Sequence, residues 1–120
     1  MKKGKLINSE LSSVIAKMGH TDLLTICDSG LPIPKDVQRI DLALKRGIPT
    51  FLETLDTVLE ELEVEEIIIA NEMEEVSNNL YLEILKKFLH IKITKVKHEE
   101  FKCITKNSSA IVRTGEFTPY

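Results

Sequence analysis

The sequence predicts an α/β fold in which helices flank a largely parallel β-sheet. Short apolar segments rich in β-branched residues alternate along the chain with longer segments in which apolar residues recur every three or four positions. Strands that alternate with helices are typical of parallel sheets, because each helix connects two strands and covers one face of the sheet. The length of 120 residues fits a single domain over residues 1–120.

The helices are predicted from this periodicity and from residues that start or stop a helix. Asn8 or Ser9 can cap the first helix, and Gly19 can end it. Thr50 and Glu53 form a capping-box pattern at the start of the second helix. The predicted helices cover residues 11–18, 52–62, 80–88 and 98–105.

The strands are predicted from short apolar runs and from alternation. Residues 23–27 form an apolar run that enters a turn, and residues 66–70 are rich in β-branched side chains, which is typical of a central strand. Apolar residues alternate along 40–44, so one face of that strand is expected to be buried. Further strands are predicted over 91–96 and 110–113.

Composition and charge argue against several classes of function. Sixteen Lys and Arg against nineteen Asp and Glu give a net charge of -3, so the chain has no overall basic field for nucleic acid. The longest strongly apolar run, Ile67–Ala70, is far too short to span a bilayer, and Asn8 stands where a signal peptide would need apolar residues. We therefore expect a cytoplasmic protein with no nucleic-acid partner and no membrane insertion.

The sequence motifs predict neither a cofactor nor a metal. The glycine-rich motifs that bind the phosphates of dinucleotides and nucleotides are absent from the sequence. A zinc site formed by His20, His90 and His98 would lack the closely spaced ligand pair that such sites use. Cys27 and Cys103 are expected to be buried, reduced thiols rather than nucleophiles.

Polar residues at the carboxyl ends of the predicted strands form a candidate site. The residues in these positions are Asp28, Asn71, Glu72 and His98. In open α/β sheets, ligands bind outside the carboxyl ends of the strands. These polar groups are therefore expected to share one crevice.

The candidate residues each have a structural interpretation beside the functional one. His20, at the end of the first helix, is either a general acid or a residue that caps the helix. Asp28 either binds a ligand hydroxyl or accepts hydrogen bonds from turn amides. His98 and Lys102 lie one helical turn apart, and they either point at one ligand or serve as a cap and a solvated charge. The residues alone thus predict an acid–base pocket for a small polar ligand.

Six linked segments of the chain resemble the D-ribose pyranase family, which is related to the L-fucose mutarotases. The resemblance extends over essentially the whole chain, and the segments occur in the family's order and at consistent separations. The matching segments are Met1–Gly4, Gly19–Asp22, Cys27–Pro34, Arg39–Ala43, His98–Lys102 and Arg113–Tyr120.

The resemblance implies an isomerase that interconverts the pyranose and furanose forms of D-ribose without a cofactor. It also implies an α/β fold that assembles into ring-shaped homo-oligomers, commonly decamers, with active sites at the subunit interfaces. By match of motif, His20 would be the proton donor, and Asp28, His98 and Tyr120 would bind the sugar. Lys102 would be a further residue of the site.

The resemblance leaves two alternative functions open, and the sequence differs from the family's pattern at one point. The alternatives are a mutarotase of the L-fucose type and a non-catalytic sugar-binding accessory of a ribose transport system. Members of the family continue past the segment that matches Pro119-Tyr120 with an Ala-Asn-Ile pattern and a last strand. The sequence printed here ends at Tyr120, so the family's C-terminal strand is expected to be missing from it.

Overall fold

Five parallel strands form two sheets in the computed structural model, which describes all 120 residues. The helices are α1 (Ser9–Lys17), α2 (Phe51–Leu59), α3 (Met73–Val76), α4 (Asn78–Lys87) and α5 (His98–Thr105). The strands are β1 (Leu24–Cys27), β2 (Arg39–Asp41), β3 (Glu66–Ala70), β4 (Lys92–Val96) and β5 (Ala110–Arg113). None of the helices is both long and apolar enough to cross a membrane.

The larger sheet has the strand order β1-β5-β2, and the smaller sheet pairs β3 with β4. All pairings are parallel. The last strand of the chain is therefore the central strand of the larger sheet, and Ala110, Ile111 and Val112 of β5 are fully buried. The α/β fold with parallel strands is confirmed, but the strands divide into two sheets.

Two of the helices begin at side chains that cap them. The Asn8 side chain accepts a hydrogen bond from the backbone N–H of Leu11 (2.9 Å), and the Thr50 hydroxyl accepts one from Glu53 (3.1 Å). Both bonds satisfy backbone donors that the first helical turn leaves without a partner. The predicted caps of α1 and α2 are thereby confirmed.

Two main apolar clusters hold the helices against the sheets. One cluster lies between α1 and the larger sheet and includes Leu11, Ile40 and Val112. The other joins α2 and α4 to the smaller sheet and includes Leu55 and Ile84. Burial of these side chains is the main favourable contribution to folding, at roughly 1.5–3 kcal/mol for each fully buried large aliphatic residue.

Two expectations about local structure are wrong, and one short helix has no signal in the sequence. The strand predicted over 40–44 ends at Asp41, because the chain then turns back on itself and Leu44 donates a backbone hydrogen bond to the carbonyl of Ile48 (3.0 Å). Leu44 is consequently exposed. The short helix α3 was not predicted, because four residues are too few for a helical period to be recognised. Cys27 is buried as expected, whereas Cys103 is exposed on the outer face of α5.

Gly115 marks a close approach between two backbone segments after β5. Its N–H donates to the carbonyl of Pro49 (2.9 Å), and its carbonyl accepts from Gly47 (2.6 Å). A Cβ atom at position 115 would lie only 2.6 Å from the backbone N and O of Ile48 and from the carbonyl of Lys45. Because backbone atoms cannot yield as a flexible side chain does, this position requires glycine.

Replacing Gly115 with Ala is expected to destabilise the fold by about 1–3 kcal/mol, the usual cost of overpacking. The measurement is urea unfolding of Gly115→Ala and of the matched variant Gly19→Ala. At position 19 the nearest atom to an added Cβ is 3.9 Å away, so Gly19→Ala should unfold near the wild-type midpoint. Equal midpoints for all three proteins would contradict the close approach.

Candidate active site

Asp28 lies at the carboxyl end of β1, where it shapes the turn that follows. Its Oδ1 atom accepts hydrogen bonds from the backbone N–H groups of Gly30 (2.9 Å) and Leu31 (3.0 Å). For Oδ1, the interpretation of Asp28 as an acceptor of hydrogen bonds from turn amides is therefore confirmed. Oδ2 has no hydrogen-bond partner within the chain, which leaves that oxygen for a ligand hydroxyl.

Arg113, at the end of β5, places a guanidinium next to this turn. Its Nη1 donates to both carboxylate oxygens of Asp41 (3.1 Å each), and its Nε donates to the carbonyl of Ser29 (3.1 Å). The register of the parallel pair aligns Asp41 with Arg113. Sequence reasoning missed this ion pair. The signal in the sequence was that Asp41 and Arg113, which have opposite charges, each lie in a predicted strand.

His98 is the first residue of α5 and follows β4. Its ring meets the Tyr120 ring edge-on, with centroids 4.4 Å apart and an interplanar angle of 86°. It also lies parallel to the Phe101 ring at 6.3 Å. The His98 Nδ1 atom is buried and has no hydrogen-bond partner. The backbone N–H of His98 donates to both carboxylate oxygens of Glu72 (3.1 Å each).

Tyr120 reaches His98 because the segment after β5 is fixed at several points. The carbonyl of Pro119 accepts a hydrogen bond from the Ser77 hydroxyl (3.0 Å). The Tyr120 ring packs against the apolar cluster of the smaller sheet. The same segment contacts the Asp28 turn, since the carbonyl of Glu116 accepts from the N–H of Ser29 (2.9 Å).

The Glu116 carboxylate anchors this segment to the start of α2. It accepts hydrogen bonds from the backbone N–H of Phe51 (3.0 Å) and from the Thr118 hydroxyl (2.8 Å). Partial burial raises the pKa of Glu116, but these hydrogen bonds to the ionised form outweigh burial, and the net pKa is lowered. No local sequence signal links residue 116 with residue 51, so sequence reasoning missed this contact.

Lys102 lies one turn after His98 on α5. Its ammonium forms an ion pair with Glu99 (3.1 Å), and its side chain is partly exposed. The helical spacing of His98 and Lys102 is as predicted. A ligand that binds Lys102 would compete with a single solvent-exposed carboxylate, which is a weak competitor.

His20 lies at the opposite edge of the sheets. It precedes β1, and its Nδ1 is 2.6 Å from a carboxylate oxygen of Glu65, which precedes β3. Its side chain is 84% exposed. Asp28 is at the other end of β1, and four residues of strand separate the two ends by on the order of 10 Å. The imidazole of His20 and the carboxylate of Asp28 do not meet within one chain.

The turn that carries His20 has an unusual backbone. Thr21 has a φ of 69°, a left-handed conformation that is costly for a β-branched residue. The Gly19 N–H donates to the Asp22 carboxylate (2.8 Å), and the Asp22 N–H donates back to the Gly19 carbonyl (3.3 Å). These two bonds hold the turn and so present His20 to solvent.

The Cys27 thiol lies beside Asp28 but is not a nucleophile. Burial, with a smaller contribution from the Asp28 charge, raises its pKa to about 12. The thiolate is the reactive form, so this thiol is inert near neutral pH. The interpretation of Cys27 as a buried, unreactive thiol agrees with the structure.

A surface groove of about 550 Å³ lies away from these residues. It runs along α1 and is lined mainly by polar side chains, among them Ser9, Ser13 and Lys17. None of the five predicted site residues lines it. We place the candidate active site at the polar residues of the carboxyl edge and not in this groove, because the volume of a groove does not by itself supply acid–base chemistry.

Comparison with known proteins gives consistent matches over the whole chain. The family model of the RbsD / FucU transport protein family matches residues 1–120. The D-ribose pyranase of Coprothermobacter proteolyticus is 62% identical over 120 residues, which cover 100% of this chain and 92% of the relative. The D-ribose pyranase of Clostridium perfringens is 58% identical over the same shares of the two chains.

A solved structure matches the fold closely. It is that of Bacillus subtilis RbsD complexed with D-ribose, with a TM-score of 0.97 and 43% sequence identity. The match covers 100% of this chain and 92% of that chain.

The Glu116 contacts predict a pH-dependent contribution to stability. The folded-state pKa is below the usual 4.5, so the ionised carboxylate stabilises the fold above that pH, and the stabilisation is lost as the pH falls through the folded pKa. At neutral pH, Glu116→Gln should cost about 0.5–1 kcal/mol after allowance for solvent screening. Urea unfolding of both proteins between about pH 7 and about pH 3 measures this difference.

The difference in the free energy of unfolding between wild type and Glu116→Gln should become smaller as the pH falls. Glu75→Gln is the control, because Glu75 is exposed and makes no side-chain hydrogen bond or ion pair. A difference that stays constant down to the lowest pH would show that the Glu116 charge is not the cause.

Proposed function

Because this chain belongs to the RbsD / FucU transport protein family, we propose that it is a D-ribose pyranase, an isomerase that interconverts the β-pyranose and β-furanose forms of D-ribose. The observation that carries the proposal is 62% identity to a D-ribose pyranase along the entire chain. The match to a structure complexed with D-ribose supports the same substrate. The furanose product would serve ribose uptake and catabolism in the cytoplasm, without a cofactor.

The reaction requires acid–base chemistry at a hemiacetal. Opening the six-membered ring breaks the bond between the anomeric carbon and the ring oxygen, while a proton is added to that oxygen and another leaves the anomeric hydroxyl. The open aldehyde rotates, and a different hydroxyl attacks the carbonyl carbon to close a five-membered ring. The two proton transfers then run in reverse, so no net proton is consumed.

Five side chains take roles in this scheme. His20, when protonated, donates a proton to the ring oxygen, and Asp28 or His98 orients the hydroxyls or removes the anomeric proton. Tyr120 packs against His98 and binds the sugar beside it. Lys102 stabilises the negative charge that develops on oxygen. The unpaired Oδ2 of Asp28 and the partly exposed ring of His98 support these assignments.

The position of His20 implies a second copy of the chain. Within one chain, His20 is at one edge of the sheets and Asp28, His98 and Tyr120 are near the other. We propose that a neighbouring copy supplies His20 to the site, in a ring-shaped homo-oligomer that is a decamer. A closed assembly of this kind gives every subunit the same complete site.

Exposed apolar side chains near the carboxyl edge support such an assembly. Leu44 is 78% exposed, and Phe117 is 54% exposed beneath the guanidinium of Arg46, which lies 4.5 Å from the ring centroid. Ile48, in the turn between them, is 46% exposed. The turn at residues 44–48 is hydrogen-bonded to the segment before Phe117, since the N–H of Gly47 donates to the carbonyl of Gly115. Exposed apolar patches typically mark a contact with another protein.

A sugar-binding accessory of a transport system is the second candidate. The description of the family refers to transport, which favours this alternative. An accessory would bind D-ribose and assemble in the same way, but it would not accelerate ring exchange. The rate measurement below therefore separates the two candidates.

Replacing His20 with Ala is expected to lower the rate of ring exchange by about 100-fold or more, because a positioned general acid typically contributes that much. The measurement is magnetisation-exchange NMR of equilibrated D-ribose without protein, with the wild-type chain and with His20→Ala. His90→Ala is the matched control, since His90 is exposed in the turn that follows α4. Undiminished exchange in His20→Ala would refute its role as donor, and a folded wild type without activity would favour the accessory.

Two inactive variants are expected to complement each other if the site spans two copies. His20→Ala and His98→Ala, expressed together, should recover activity, since about a quarter of randomly paired sites in a symmetric oligomer would contain both native histidines. The measurement is the exchange rate of the co-expressed oligomer against each variant alone. Activity no greater than that of the separate variants would place both histidines in the site from one chain.

A further inference from the structure

We propose that Glu72 is a positioning residue for sugar binding, because its carboxylate holds the first turn of α5 and with it the ring of His98. This inference rests on the proposed function. The sequence places Glu72 after a predicted strand, among the polar residues of the candidate site, and its role follows from its contacts.

Pairing of β3 with β4 brings Glu72 to His98. The register aligns Ala70 with Val96, and the N–H of Asn71 extends the ladder by donating to the carbonyl of Val96 (2.7 Å). Glu72 comes directly after Asn71 on the β3 side, and His98 comes two residues after Val96 on the β4 side. The two strands thus fix the carboxylate against the start of α5.

Glu72 performs the function of an N-cap from a distant part of the chain. The first backbone N–H groups of a helix have no partner within the helix. At α5 the capping position is occupied by Lys97, which makes no side-chain capping hydrogen bond. Both Glu72 oxygens instead lie 3.1 Å from the His98 nitrogen, and the negative charge also interacts favourably with the positive end of the helix dipole.

The His98 side chain depends on this anchor because no hydrogen bond within the chain holds it. Nδ1 is buried without a partner, and the ring packs against Phe101 and Tyr120. Because Nδ1 is buried, Nε2 is the ring nitrogen that is left to form a hydrogen bond with a sugar oxygen. The backbone at residue 98 therefore decides where that nitrogen lies.

The test compares Glu72→Ala, Glu72→Gln and the control Glu75→Ala. Glu75 is exposed on α3 and makes no side-chain hydrogen bond or ion pair. Ring-exchange rates at several concentrations of D-ribose give kcat and KM, and NMR titration with D-ribose gives Kd. The chemical shift and hydrogen exchange of the His98 amide report the anchor directly.

Glu72→Ala is expected to raise KM and Kd about ten-fold while kcat changes less than about two-fold, since positioning acts mainly on binding. Its His98 amide should exchange faster with solvent. Glu72→Gln keeps an oxygen acceptor and should restore most of the affinity and protection, even where the Ala variant is too unstable to measure. Glu75→Ala should match the wild type in each measurement.

Two results would overturn the proposal. One is unchanged KM and Kd in Glu72→Ala. The other is a large loss of kcat in both Glu72→Ala and Glu72→Gln with KM unchanged, which would make the carboxylate a group of the chemistry itself. If the wild-type chain binds D-ribose without accelerating exchange, the proposed pyranase function fails, and the Kd values of the same variants still decide whether Glu72 positions His98.

Discussion

The fully buried strand β5 is the constraint on which the rest of the structure depends. It follows the other four strands in sequence but is the central strand of the larger sheet. Its partners β1 and β2 are therefore paired with a strand that is distant in sequence. Its residues Ala110, Ile111 and Val112 are completely inaccessible to solvent. Pairing over such sequence separation costs loop entropy, which burial of apolar surface must offset.

The direction of β5 also determines where the segment 114–120 leaves the sheet. Gly115 lies close to the turn at residue 48, and the Glu116 carboxylate caps the start of α2. These two contacts direct the chain along the carboxyl edge of the sheets toward α5. Tyr120 thereby meets His98. Hydrogen bonds at Glu116 and Pro119, together with packing of the Tyr120 ring, hold this segment in place.

Parallel strands separate the residues that carry the proposed reaction. Residues before a strand and residues after it lie at opposite edges, so His20 and Asp28 are divided by β1 itself. The left-handed backbone of Thr21 lies in the turn that exposes His20. An assembly in which one copy presents its amino edge to the carboxyl edge of another would unite the two groups, and a sugar bound between them would be shielded from water.

Local patterns in the sequence determined the helix caps at Asn8 and Thr50, most of the strands, and the chemical types of the candidate residues, because these depend on neighbours within a few positions. The matching segments of the family likewise led from the sequence to the proposed activity. Only the tertiary structure decided that the strands form two sheets, that Glu116 caps α2, and that Glu72 holds His98 across 26 residues of chain. It also placed His20 far from Asp28. These features depend on strand order, register and long-range packing, which no short stretch of sequence encodes.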